Sequence, residues 1–225
     1  MIFCENFVKI EKIYLKGRVY GLSDITKLVL KTVAITMASV IGACLVVFGA
    51  LTLFTPATLA RFFDGMGMEK SAVSFYEKQY NKTGDANDLS VLVMKIDGKN
   101  DSARAEKYLA VLILHDDFES YCAFQDSAQN ASLSTKEYYS GQYAVILCRN
   151  AKVSEALNFA KNFVTENGYT TFNPYSVMLT EVGASLGQDN LGKIRADISA
   201  LELSNEQAAD RDGDIAVVDG LLNQN

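Results

Sequence analysis

The 225-residue chain contains no tryptophan, a single histidine and only two prolines. Each scarcity excludes something. Proline breaks helix interiors, and the long stretch between Pro56 and Pro174 has none, which suits a mostly helical chain. One histidine, His115, rules out a His-rich metal site and leaves any triad this one base. The four cysteines, Cys4, Cys44, Cys122 and Cys148, form no C-x-x-C pair, so zinc and thioredoxin-type chemistry are not expected. There is no Gly-rich phosphate loop or H-E-x-x-H motif. Low-complexity segments and Pro/Ser/Gly linkers are also absent.

Basic residues are scarce after the first third of the chain. Residues 1–32 hold Lys9, Lys12, Lys16, Arg18, Lys27 and Lys31 against Glu5, Glu11 and Asp24, a net charge of +3. Residues 55–225 carry the other 15 basic residues against 24 acidic ones, a net charge of −9. An acidic domain repels a phosphate backbone, so no nucleic-acid partner is expected.

What is present is an apolar run, VAITMASVIGACLVVFGALTLF, from Val33 to Phe54 without a charge. At 1.5 Å per residue it spans about 33 Å, the thickness of a hydrocarbon core. Thirty-two residues precede it, and it is too long for a signal-peptide core. The expectation is a transmembrane helix over 33–54, in contact with membrane lipid. The six basic residues on its N-terminal side, against Arg61 and Lys70 as the next two after it, set an orientation by the positive-inside rule. Residues 1–32 are expected to be a cytoplasmic juxtamembrane segment, residues 33–54 a signal anchor, and residues 55–225 an extracytoplasmic domain. Ala38 and Gly42, like Ser39 and Ala43, form small-xxx-small pairs. These are candidates for helix–helix contact in the membrane, and hence for a homodimer. The N-terminal flank admits two readings. Phe3, Phe7, Ile10 and Tyr14 at helical spacing beside Lys9, Lys12 and Lys16 suit a helix on the inner membrane surface. KIEKIYLKGRVYG equally suits a short hairpin turning at Gly17.

The outer segment repeats itself. KSAVSFYEKQY around Ala72, ARAEKYLAVLI around Ala105, VSEALNFAKNF around Ala156 and NLGKIRADISAL around Gly192 each place a small residue four before Tyr76, Leu109, Ala160 or Ala196. A small residue lets a neighbouring helix approach. Before the last three lies another apolar segment and a polar break: LSVLVMKIDGKND, YYSGQYAVILCRNAK and YSVMLTEVGASLGQD. A helical hairpin cannot bury its apolar face alone, but a stack of hairpins can.

Over about residues 66–203 this pattern resembles the tetratricopeptide (TPR) family. The best match is YAVILCRNAKVSEALNFAKNFV. Ala144 stands where the family usually has Gly, Leu147 where it has Tyr, and Ala156 at its signature small position. The anchors are 33, 51 and 36 residues apart, against a family period of 34. The long step calls for an insertion, for which DFESYCAFQDSAQNASLS is the candidate. The usual Trp and most of the usual prolines are missing. The expected fold class is all-α, one transmembrane helix followed by a TPR-like hairpin-repeat domain. Bacterial inner-membrane proteins of that architecture are the nearest in plan. The resemblance implies a groove for a protein or peptide partner, lined by the first helix of each hairpin, with Lys95, Tyr139, Gln142 and Glu181 as candidates. It implies no cofactor and no catalysis.

Three local features were weighed for chemistry. His115 in LILHDDF has Asp116 and Asp117 beside it, but no nucleophile is identifiable nearby, and a helix-end capping role is expected. Cys122 and Cys148 are a candidate disulfide if the domain lies in an oxidising compartment. DRDGDIAVVDG gathers Asp210, Asp212, Asp214 and Asp219, but Ile215 and Leu221 stand where a calcium loop needs Gly and an acid. A solvated acidic turn between two terminal helices is expected there. Asn81, Asn100 and Asn130 form Asn-x-Ser/Thr sites. The expected function is a membrane-anchored scaffold or assembly protein. The alternatives are a sensor passing outer binding inward to Phe7, Ile10 and Lys12, and, more remotely, an enzyme built on His115.

Overall fold

The computed structural model describes residues 24–96, 98–129 and 133–223. The two readings of the N-terminal flank, and Asn130, lie outside them. The described residues form eleven α-helices and one short 3-10 turn, with no strand among them. The chain divides into two compact units, Met1–Thr55 and Pro56–Asn225.

The first unit contains α1, Asp24–Phe54. It begins nine residues before the apolar run. Lys27 and Lys31 are carried in its first turns, because Leu28, Val29 and Leu30 between them propagate the helix. At 31 residues it is about 46 Å long. None of the residues of its apolar stretch is buried within the protein. Its hydroxyls turn back on the helix: Thr32, Thr36, Ser39 and Thr52 each donate to the carbonyl four residues earlier, at 3.0, 2.9, 2.9 and 2.8 Å. A side chain satisfied this way leaves no bare polar group facing hydrocarbon. Among the described residues α1 is the one helix long and apolar enough to cross a membrane. Ala38 and Gly42 lie exposed on it, and nothing comes within 4 Å of a Cβ built on Gly42.

The second unit holds α2 (Pro56–Gly65), α3 (Glu69–Thr83), α4 (Ala86–Lys95), α5 (Ser102–Ile113), α6 (Phe118–Gln129), α7 (Thr135–Arg149), α8 (Val153–Asn167), α9 (Pro174–Val182), α10 (Gln188–Ser199) and α11 (Asn205–Leu222). Local chemistry sets the boundaries. Both prolines open helices, where the missing N–H has no intrahelical partner to lose. Asp85 accepts the Asn87 N–H at 2.6 Å, and Asn173 accepts those of Tyr175 and Ser176 at 2.8 and 3.3 Å. Gly84 ends α3 in the left-handed region, which glycine enters without a Cβ penalty.

Consecutive helices pack as antiparallel neighbours: α2 on α3, α3 on α4, α4 on α5, α7 on α8, and α10 on α11. Between hairpins, α5 packs on α7 and α7 on α9. The segment read as an insertion forms α6, which packs against α7 and touches α4. The small residues Ala72, Ala105 and Ala156 are all buried, as are Tyr76, Leu109 and Ala160 four residues later.

The fourth repeat does not keep this register. Gly192 and Ala196 are exposed, and α10 instead buries Leu191, Ile194 and Ile198. Branched apolar side chains at i, i+3 and i+7 outweigh one small residue in choosing the buried face. The place in the third hairpin that needs glycine is also different from the one expected. Ala144 is buried, but Gly141 is where α7 and α9 come closest: a Cβ there would stand 2.7 Å from Val177 Cγ2.

The acidic segment is helical and not the turn expected of it. Asp210–Asp219 lies inside α11. Ser204 and Gln207 open that helix with a capping box. Val218 is buried, with Ile215, Leu221 and Leu222 partly buried against the same core. That packing overrides the weak helix propensity of Asp and Gly. The acids are spread around the helix and separately engaged. Asp214 accepts from Tyr169 Oη at 2.6 Å and from Ser176 Oγ, Asp210 from Thr171 Oγ1 at 2.9 Å, and Asp219 from Arg195 at 2.6 Å.

Candidate functional site

The face formed by α4, α7 and α9 carries the site. Tyr139, Gln142 and Glu181 line one cleft there of about 270 Å³, together with Val93, Met94 and Ile146. Gln142 on α7 donates to Glu181 Oε1 on α9 at 2.7 Å, and Arg149 donates to Glu181 Oε2 at 3.1 Å. One carboxylate thus ties two helices together and has its charge compensated. Tyr139 is buried beneath the cleft. Its ring sits 5.2–6.4 Å from those of Tyr138, Phe118 and Tyr121, and burial holds its phenol well above the usual range.

Two further clefts adjoin the first. One, of about 350 Å³, is lined by Ser90, Tyr121, Thr135, Tyr138 and Tyr139 between α4, α6 and α7. The other, of about 340 Å³, lies among α2, α3 and α4. Lys95 belongs to this third cleft and not to the first, because its ammonium pairs with Asp64 on α2 at 2.7 Å. Met94 borders all three clefts, and Tyr138 borders two. Both side chains are exposed, Met94 to 57%. Neither was singled out by sequence. The available signals were a methionine beside Lys95 at the end of an apolar helix, and the doubled tyrosine at 138–139.

An exposed thioether and phenol sit between clefts in which Arg149 pairs with Glu181 and Lys95 with Asp64. Methionine adapts to irregular apolar shapes, and tyrosine supplies rigid area with a polar tip. Among the described residues, no three His, Cys, Asp or Glu side chains are grouped to hold a metal.

His115 stands apart from this face, just after α5. Its Nε2 donates to Gly84 O at 2.8 Å, and its Nδ1 accepts the Asp117 N–H at 3.2 Å. The ring links the end of α3 to the α5–α6 turn, with both nitrogens occupied. Cys122 and Cys148 are free thiols, not a disulfide. Helix α6, carrying Cys122, packs on the start of α7 near Tyr139. Cys148 lies nine residues further along α7, about 13 Å away along the axis, with its sulfur 3.6 Å from Met178 Sδ on α9. Burial raises the Cys122 thiol to about 12, helped by Asp126, and the Cys148 thiol to about 11. Both remain protonated at neutral pH and so are poor nucleophiles.

No protein-family model matches the chain, and neither a curated protein nor a solved structure is significantly similar to it.

Proposed function

We propose that this chain is a single-pass membrane protein whose helical domain binds a protein or peptide partner on the α4–α7–α9 face, acting as a scaffold or assembly factor and not as an enzyme. The observation that carries the reading is the adjacency of three clefts around Met94 and Tyr138, on the first helices of successive hairpins. The same arrangement supports a TPR-like reading of the domain: the first helices α7 and α9 pack on one another at Gly141, and their outer face is left for a ligand. The compensated charges favour a segment with apolar side chains over a strongly charged one. In this reading the N-terminus is cytoplasmic and the domain extracytoplasmic, from the flanking lysines and arginines. The anchor concentrates the domain at the membrane, so that modest contacts suffice.

The test is site-specific photocrosslinking in intact cells. A photoreactive residue replaces Met94, or, as a reference, the exposed Val217 on α11. A distinct crosslinked band from position 94, absent from position 217 and weakened by Tyr138→Ala, is the expected outcome. Identical bands from both positions would remove the groove from the account.

A further inference from the structure

The start of the helical domain carries an apolar surface that its own packing does not use. Helix α2 buries Pro56, Leu59 and Ala60, and Phe63 stacks on Phe75 of α3 with ring centroids 5.3 Å apart. The packing face is therefore already occupied. On the other side, Phe62 is 58% exposed, and Met66 and Met68 in the turn before α3 are 50% and 46% exposed. Thr58, Arg61, Phe62, Gly65 and Met66 share this outer face, at helical spacing. Arg61 and Lys70 flank the apolar group, and both are exposed. Of the two acids in the stretch, Asp64 is paired with Lys95 and Glu69 is exposed.

A single residue, Thr55, separates α1 from α2. From Pro56 to Phe62 is about 9 Å along a helix axis. The polar and interfacial layer on each side of a bilayer is about 5–8 Å thick. A helix leaving along the bilayer normal would carry Phe62 to the edge of that layer or past it, so docking requires the chain to bend at Thr55 and lay α2 along the surface, where Phe62 falls within the layer. An aromatic ring and two thioethers with cations at their margins suit it: the apolar groups enter the headgroup–acyl boundary while Arg61 and Lys70 reach lipid phosphates.

We propose that the outer face of α2 and the α2–α3 turn, through Phe62, Met66 and Met68, docks on the lipid surface of the same bilayer that α1 crosses. This rests on the reading of α1 as a membrane span. The consequence is a domain held against the membrane and not free to swing on its tether.

The chain has no tryptophan, so one introduced indole reports its own depth. Full-length Leu45→Trp, Phe62→Trp and Phe172→Trp variants, each at an exposed side chain, are placed in nanodiscs of phosphatidylcholine and phosphatidylglycerol. The acyl chains are brominated close to the headgroups in one preparation, to read Phe62→Trp, and near their ends in another, to read Leu45→Trp. The Leu45→Trp variant tests the span, and Phe172→Trp, in the α8–α9 connection, is the soluble-side reference. The expected result is that Leu45→Trp is quenched, Phe62→Trp loses roughly half its emission, and Phe172→Trp loses less than about a tenth. If Leu45→Trp is quenched but Phe62→Trp behaves like Phe172→Trp, docking is overturned while the span survives. If Leu45→Trp is not quenched, span and docking fall together. Shielding of Phe62→Trp from aqueous iodide, without quenching by lipid, would assign the face to a protein contact and also overturn the proposal.

Discussion

Helix α1 and the helical domain are built from the same apolar residue types and dispose of them in opposite ways. Leu45 in α1 is 66% exposed, whereas Leu191 in α10 is fully buried. In the domain, apolar side chains find one another and leave polar ones outside, the solution water imposes. In α1 none is buried, and the hydroxyls of Thr32, Thr36, Ser39 and Thr52 bond to the helix itself. The comparison teaches that a helix so furnished is stable only where its surroundings are as apolar as its surface.

Matched substitutions sharpen the contrast. Leu191→Ala should lower the stability of the domain by about 2–5 kcal/mol, read by urea unfolding of the full chain in micelles. Leu45→Ala should leave that transition unmoved. An equal effect from both would mean that α1 belongs to the same core. Within the domain, two helical glycines make a smaller version of the test. Gly141→Ala forces a Cβ against Val177 and should cost about 1–3 kcal/mol, with partial recovery when Val177→Ala is added. Gly192→Ala meets nothing within 4 Å and should stabilise by about 0.5–1 kcal/mol through helix propensity.

The domain should also respond to pH where α1 does not. Burial pushes Glu77 upward, but hydrogen bonds from Tyr108 and Arg104 outweigh it and hold the carboxyl below its ordinary value. The Lys152 hydrogen bond does the same for Glu106. A carboxyl depressed in the folded state stabilises above its unfolded pKa and loses that contribution as pH falls through the folded one. Stability should therefore be flat near neutrality and decline below about pH 4. On the alkaline side, burial and then Glu77 raise the Tyr108 phenol to about 12 from 10.0. A raised group stabilises fully below its unfolded pKa, so stability should fall again as pH climbs from 10 towards 12. Unfolding midpoints across a pH series check both limbs. The smallest effect is expected at Ala151, which sits at φ 60° between α7 and α8. Ala151→Gly should raise the unfolding midpoint slightly, by about 1 kcal/mol or less, because only the alanine strains there.

Much of this was legible in sequence, and the failures share a cause. The apolar run needed only length and composition. Ala72, Ala105 and Ala156 were legible because a small residue between large ones marks close helix approach. Gly192 carried the same local mark, yet the side chains of Leu191, Ile194 and Ile198 decided the face. The acidic stretch was misread because Asp and Gly favour turns locally, while Val218 and its neighbours gain more by packing. Tyr139, Gln142 and Glu181 were brought to one cleft, but Lys95 went to another because Asp64, 31 residues away, captures it. Met94 and Tyr138 escaped notice because exposure of an apolar side chain is a property of the assembled surface, which no window of sequence contains.

The separation of Cys122 from Cys148 has a consequence under reducing conditions. With Cys122 buried and Cys148 half-buried as separate free thiols, the packing they occupy uses no covalent cross-link between them. A reductant removes nothing that holds these helices together.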